Sequence, residues 1–261
     1  MHDFWLMRPV VWGRSFLGAV LFYTVLPVPS AWGSQFHRVA RWAPLVGLGL
    51  GMILAGIALG LDGLGMPPLT RSALVVILGW GLTGGLHLDG AMDTADGWMV
   101  GEPQRRLAAM QDSRAGAFGV MAAVAIALLK CAALTELTLN RFWALPMVAA
   151  WGRWGQVVAI AAYPYLKPTG KGAFHKRSLQ LPQDWLLSTG TVLGWSAAHV
   201  YHAPATVWLT VASHSCGALF ALGSGWIIQQ RFGGQTGDTY GAIVEWTEAL
   251  TLVAIATLSV H

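Results

Sequence analysis

Residues 42–61 read WAPLVGLGLGMILAGIALGL. This stretch contains no charged residue. As a helix rising about 1.5 Å per residue, it is long enough to cross the roughly 30 Å hydrocarbon core of a bilayer. Gly47, Gly51, Gly56 and Gly60 recur at the small-xxx-small spacing of closely packed membrane helices. The stretch therefore predicts a membrane-spanning helix that packs tightly against a neighbour.

Similar apolar runs recur along the chain, of which 55% is hydrophobic and 11% charged. They cover residues 42–61, 72–88, 117–135, 142–163, 185–200, 205–228 and 241–260. A further stretch, residues 10–26, carries Arg14 and is either an eighth span or an interfacial helix. We expect an all-α, polytopic integral membrane protein with about seven to eight transmembrane helices, forming a single catalytic domain over residues 1–261.

Lys and Arg concentrate on one side of the predicted membrane. That side holds Arg8, Arg14, Arg38, Arg41, Arg105, Arg106, Arg114, Lys167, Lys171, Lys176, Arg177 and Arg231. The other side holds Arg71 and Arg141. The positive-inside rule makes the first side cytoplasmic, so we expect a plasma (inner) membrane protein with its active site facing the cytoplasm. This topology accounts for the net charge of +4, and we expect no nucleic-acid partner.

Residues 87–97, HLDGAMDTADG, carry the main functional signal. Asp93 and Asp96 follow Asp89 by four and seven residues, so all three share one face of a helix. Close carboxylates repel at pH 7, and a hard cation such as Mg²⁺ removes that repulsion. No Lys or Arg lies within helical pairing distance. We predict a metal site here, with a solvated helix face as the alternative.

A second segment, residues 111–119, reads QDSRAGAFG. Asp112 is a candidate ligand or general base, and Arg114 is a candidate bidentate partner for phosphate. The alternative is a simple helix cap at Asp112 or Ser113.

A third segment, residues 233–241, reads GGQTGDTYG. Here a Gly-rich turn leads into the N-terminus of a helix, and such an end attracts anions. Asp238 with Glu245 would add a cation site beside it.

Basic residues complete the candidate site. Arg153 lies inside a predicted span, where we favour a phosphate-facing cavity over a structural ion pair. Lys130 lies nearer a helix end and is expected to snorkel to the interface. The loop of residues 163–175, YPYLKPTGKGAFH, contains Lys167 and Lys171 and is able to close over a nucleotide. The alternative is a topology-setting basic loop on anionic lipids.

Taken together, these segments resemble the cobalamin synthase family, also called adenosylcobinamide-GDP ribazoletransferases. The matching segments are residues 22–29, 85–97, 110–119, 164–170 and 233–241. The likeness extends over about residues 22–248, and five segments in register are far more specific than any single one. Residues 165–167 read YLK where we would expect Tyr-Ala-Arg, and lysine keeps the charge but lacks the bidentate geometry.

The resemblance implies a Mg²⁺-dependent membrane transferase that joins adenosylcobinamide-GDP to α-ribazole or its 5′-phosphate and releases GMP. It implies metal and diphosphate binding at Asp89, Asp93, Asp96, Asp112 and Asp238. Attack of a ribose hydroxyl on the cobinamide-side phosphorus requires charge neutralisation, in-line positioning and a carboxylate that accepts the proton.

With the resemblance included, three sets of residues are predicted. The catalytic set is Asp93, Asp96, Asp112 and Arg114. The substrate-binding set is Arg114, Arg153, Lys167, Lys171, Gln235 and Thr236. The metal set, with Mg²⁺ as cofactor, is Asp89, Asp93, Asp96, Asp238 and Glu245.

Two other functions stay open. A membrane phosphotransferase for CDP-activated alcohols also repeats Asp near Asp-Gly, but the expected Ala-Arg does not follow Gly97. An ion-coupled transporter would use Glu245, Glu248 and Arg153 in a pathway across the bilayer, yet the acids crowd the cytoplasmic side. The sequence leaves open whether the acceptor is the nucleoside or its 5′-phosphate, and whether subunits form a homo-oligomer.

Overall fold

A computed structural model describes residues 3–32, 34–137, 143–167, 171–202 and 207–259, and within these ranges the chain is helical, without a β-strand. The α-helices are α1 (Asp3–Tyr23), α2 (Ala43–Gly63), α3 (Pro68–Leu82), α4 (Leu86–Met99), α5 (Pro103–Ala109), α6 (Ala117–Glu136), α7 (Ala144–Ala162), α8 (Lys171–Ser178), α9 (Gln183–His202), α10 (Val207–Phe232) and α11 (Gly237–Leu258). The predicted all-α class is confirmed.

Among the described residues, four helical segments are long and apolar enough to cross a membrane. They are Val39–Gly63, Ala117–Glu136, Val207–Phe232 and Gly237–Leu258. Helices α3 and α4 together make a fifth candidate, although they are bent by 92°. Length and composition therefore support four to five spans, and the count of seven to eight stays a prediction.

The predicted continuous span over residues 72–88 is wrong, because α3 ends at Leu82 and α4 begins at Leu86. Between them, Gly84 and Gly85 have φ angles of 61° and 72°. This left-handed conformation is open to glycine and costly for residues with a β-carbon. The break redirects the chain, so the aspartates lie on a separate helix almost perpendicular to α3.

Helix α7 lies at the centre of the fold and is buried on almost every face. Helix α2 packs closely against it: a β-carbon at Gly47 would collide with the backbone of Ala149, and one at Gly51 with Pro146. The predicted tight packing is therefore confirmed for this half of α2. It is wrong for Gly56 and Gly60, where an added β-carbon would meet nothing within 4 Å.

A network of four charged side chains lies inside the bundle. Lys130 Nζ of α6 donates to Glu245 Oε2 and Glu248 Oε2 of α11, both at 2.7 Å. Arg153 Nη1 of α7 donates to Glu248 Oε1 at 2.8 Å. The Trp80 indole adds a hydrogen bond to Glu245 Oε2 at 3.2 Å. Two positive and two negative groups thus balance one another and tie three helices together.

This network corrects three predictions. Arg153 is held in a structural ion pair rather than in a phosphate-facing cavity. Lys130 is buried between two carboxylates and does not snorkel. Glu245 does not join Asp238 in a metal site, because it is neutralised by Lys130 and lies two turns, or about 10 Å, farther along α11.

Lys130→Met is expected to destabilise the protein by about 3–5 kcal/mol, because it leaves two largely buried carboxylates with one cation between them. The measurement is the midpoint of thermal unfolding in detergent, followed by circular dichroism. Adding Glu245→Gln restores the charge balance and should recover part of the loss. An unchanged midpoint in the single variant would show that the network does not contribute to stability.

Candidate active site

Helices α4 and α11 cross in close contact, and this crossing builds the acidic site. A β-carbon at Gly90 of α4 would lie 2.5 Å from the carbonyl oxygen of Asp238 in the first turn of α11. A β-carbon at Gly241 would lie 2.7 Å from the carbonyl oxygen of His87. The two glycines let the backbones touch, so Asp89 and Asp238 line the same cavity.

Acidic groups surround Asp93. Burial and the carboxylates of Asp89, Asp238 and Asp96 act on it together, and Lys167 is the described cation that opposes them. Lys167 Nζ donates to Asp238 Oδ2 at 2.8 Å. Among the described side chains, these four acidic groups thus share Lys167, and a bound cation would balance the excess of acids.

Asp89 lies between two cavities. The outer cavity, of about 330 Å³, is lined by Asp89 and Asp93 of α4 and by Asp112 from the loop before α6. The inner cavity, of about 160 Å³, is lined by Asp89 and by Asp238 at the start of α11. The three acidic segments identified in the sequence therefore meet at Asp89.

Asp96 has a different position from the one predicted for a metal ligand. Its two carboxylate oxygens accept hydrogen bonds from the backbone amides of Gly116 and Gly119, both at 2.8 Å. Asp96 thus caps the N-terminus of α6 from α4, where its charge complements the helix dipole. The alternative of a cap at Asp112 or Ser113 is wrong, because α6 begins after Gly116.

Asp112 and Arg114 form an exposed ion pair at the outer cavity. Arg114 donates from Nε and Nη2 to the two oxygens of Asp112, at 3.0 and 2.7 Å. These hydrogen bonds lower the pKa of Asp112 to about 2, so the carboxylate is ionised throughout the physiological range. The guanidinium is 86% exposed and therefore free to exchange this carboxylate for another oxyanion.

The basic loop after α7 is hydrogen-bonded to the Gly-rich turn before α11. The backbone amide of Leu166 donates to the backbone carbonyl of Gln235 at 2.8 Å, and the backbone amide of Gln235 donates to the backbone carbonyl of Pro164 at 2.9 Å. The Lys167–Asp238 ion pair adds a third link. Residues 168–170 and the side chain of Lys171 lie outside the described part of the chain, and so does the prediction made for Lys171.

Gln235 and Thr236 are buried and hold the turn rather than reach a cavity, which corrects their predicted substrate role. The side-chain amide of Gln235 donates from Nε2 to the Gly225 carbonyl at 3.1 Å. Its Oε1 accepts a hydrogen bond from the Thr239 hydroxyl at 2.8 Å. Thr236 and Thr239 form a reciprocal capping box at the start of α11.

The residue sets predicted from the sequence leave out most of the inner cavity. Tyr23, His87, Gln156, His175 and Tyr240 line it, and of these Gln156 alone lies outside the segments singled out in the sequence. Gln156 could have been noticed as an amide within a predicted span, since such groups need a partner or a function. Burial lowers the pKa of His175 to about 4, so its imidazole is neutral at physiological pH.

Mg²⁺ suits the donor chemistry of the site, since every nearby acid offers oxygen ligands and the charges add at Asp93. Among the described side chains, no three His, Cys, Asp or Glu residues converge closely enough to form a metal site by themselves.

Asp96→Asn tests the capping role. The asparagine side chain has one acceptor oxygen where aspartate has two, and it carries no negative charge. We therefore expect the protein to lose about 1–3 kcal/mol of stability, measured as a lower unfolding midpoint. Gly119→Ala keeps the carboxylate but places a β-carbon 2.5 Å from it, and should lower the midpoint as well. A normal midpoint in Asp96→Asn would argue against the cap.

Comparisons with known proteins place the chain in a family. The family model described as cobalamin-5-phosphate synthase matches residues 15–256. The adenosylcobinamide-GDP ribazoletransferase of Trichormus variabilis is 50% identical over 248 residues, covering 93% of this chain and 96% of that protein. The protein of the same name from a Synechocystis species is 48% identical over 257 residues, covering 97% and 99%.

A third relative of that name, from Synechococcus elongatus, is 52% identical over 240 residues, covering 90% of this chain and 93% of that protein. No solved structure matches the chain. Since the family model extends over nearly the whole sequence and relatives at this identity cover most of it, the chain belongs to the cobalamin-5-phosphate synthase family.

Proposed function

We propose that this protein is an adenosylcobinamide-GDP ribazoletransferase, which joins adenosylcobinamide-GDP to α-ribazole or its 5′-phosphate and releases GMP. This reaction completes the nucleotide loop of cobalamin. The match to the cobalamin-5-phosphate synthase family over residues 15–256 carries the proposal. The meeting of three acidic segments at Asp89 supplies a site suited to that chemistry.

The transfer forms one bond and breaks another at the same phosphorus. A ribose hydroxyl of the acceptor attacks the cobinamide-side phosphorus, and GMP leaves with the bridging oxygen. The hydroxyl proton passes to a carboxylate, for which Asp93 and Asp112 in the outer cavity are the candidates. Arg114, whose guanidinium is exposed, is the candidate that holds the diphosphate as a bidentate donor.

Asp89 and Asp93 are the residues proposed to hold Mg²⁺, with Asp238 beside them. Mg²⁺ in phosphoryl-transfer sites usually takes one or two carboxylates and completes its coordination with substrate phosphates and water. This coordination pattern is compatible with a site in which no three described His, Cys, Asp or Glu side chains are grouped as metal ligands. When bound, the ion would neutralise charge on the diphosphate oxygens.

The proposed location is the plasma (inner) membrane, with the lipid bilayer around the apolar helices and the acidic site facing the cytoplasm. The four apolar spans and the bent pair of α3 and α4 would provide five crossings. Helices α7 and α9, of 19 and 20 residues, would raise the count to seven. Helix α1 would be the eighth.

No specific observation favours either alternative function. The transporter requires titratable groups along a pathway, whereas Glu245, Glu248 and Arg153 are bound to one another or to Lys130. For the CDP-alcohol phosphotransferase, Trp98 and Met99 stand where Ala-Arg would follow Gly97.

Asp89→Asn and Asp93→Asn are each expected to reduce turnover on the order of a hundredfold or more, because each removes a proposed Mg²⁺ ligand or base. The assay follows GMP release by purified protein with adenosylcobinamide-GDP, α-ribazole and increasing Mg²⁺. Glu102→Gln, which removes an exposed loop carboxylate, is the matched control. Parental rates in both Asp variants would rule out the metal site.

Two single cysteines test the orientation in a background lacking Cys131 and Cys216. Gln104→Cys, in the segment with Arg105 and Arg106, should be protected from an impermeant thiol reagent in intact cells. Leu64→Cys follows α2 on the opposite side and is 82% exposed, so it should react. The reverse pattern would invert the proposed topology.

A further inference from the structure

The inner cavity contains a group of buried polar atoms without a hydrogen-bond partner among the described residues. They are Nε2 of His87, Oε1 of Gln156, Nδ1 and Nε2 of His175, and the hydroxyl of Tyr240. All four residues line this cavity. An unpaired buried polar atom costs about 1–3 kcal/mol, so five around one space indicate that the space takes a polar ligand.

Aromatic rings form part of the wall of the inner cavity. Phe22 and Tyr23 line it together with His175. The Tyr23 and His175 rings are stacked at an interplanar angle of 11°, and Phe22 meets His175 edge-on at 4.7 Å between centroids. A volume of about 160 Å³ corresponds to about five water molecules at roughly 30 Å³ each, which is comparable to a fused two-ring heterocycle.

The unpaired atoms also define the hydrogen bonds that the ligand must make. Gln156 Oε1 accepts, and the neutral imidazole of His175 offers one donor and one acceptor. The Tyr240 hydroxyl can do either. A purely apolar ring would leave all of these groups unpaired, whereas a nucleobase with donors and acceptors on its edge would satisfy them.

The position of the cavity connects it to the reaction. Asp89 and Asp238 lie at its wall, and Asp89 is shared with the outer cavity. A base in the inner cavity would therefore have its sugar and phosphate directed towards the acidic site.

We propose that the inner cavity is a nucleobase pocket, which holds the base of one of the two nucleotide substrates while the attached sugar reaches Asp89. The inference rests on the proposed function, because that reaction supplies two sources of such a base. One is the guanine of adenosylcobinamide-GDP, and the other is the base of α-ribazole.

The test measures the dissociation constants of GMP and of α-ribazole by calorimetry with the purified full chain. Tyr240→Phe and His175→Phe keep an aromatic ring and remove the unpaired polar atoms. Each should weaken one of the two ligands by about 5- to 10-fold, as for one lost hydrogen bond. Thr247→Val is the matched control, because it removes another unpaired hydroxyl of α11 that lies outside this cavity.

Weaker GMP binding in the two variants, with normal α-ribazole binding, would assign the pocket to guanine, and the converse would assign it to the acceptor base. Unchanged dissociation constants in both variants would overturn the pocket, as would a wild-type protein that binds neither ligand. The turnover assay decides the proposed function separately: normal GMP release with unchanged dissociation constants would reject the pocket and retain the enzyme. Unfolding midpoints near the parental value would exclude misfolding as the cause of any loss.

Discussion

The close contact between α4 and the first turn of α11 is the constraint on which the site depends. It requires that Gly90 and Gly241 carry no side chain, since a β-carbon at either position would push against the other helix backbone. The same contact places Asp89 beside Asp238 and leaves the inner cavity between them. The crossing is reached only because the chain turns at Gly84 and Gly85, so two pairs of glycines determine where the acids lie.

The acids of this protein divide into two groups with different physical situations. Glu245 and Glu248 lie within the bundle, where an uncompensated charge is costly, and they are neutralised by Lys130 and Arg153. The acids at the α4–α11 crossing outnumber Lys167, the described cation beside them. The first arrangement supports the bundle, while the second is suited to receive a cation together with a diphosphate.

Sequence reasoning succeeded where the pattern is local. The apolar runs predicted the helices, and the four-residue spacing of Asp89 and Asp93 predicted one helical face, which both residues present to the outer cavity. It failed where the partner is distant along the chain. Asp96 meets amides 20 and 23 residues away, and Lys130 meets Glu245 115 residues away. No local spacing carries that information, so polar residues with structural partners were assigned to the site.

The 92° bend between α3 and α4 also fixes how the acids are spread. Helix α4 leaves the axis of α3 almost at a right angle, and its 14 residues cover about 20 Å in that direction. Asp89 and Asp93 are therefore displaced sideways from α3. In one continuous helix, the same four-residue spacing would instead place Asp93 about 6 Å farther along the axis than Asp89.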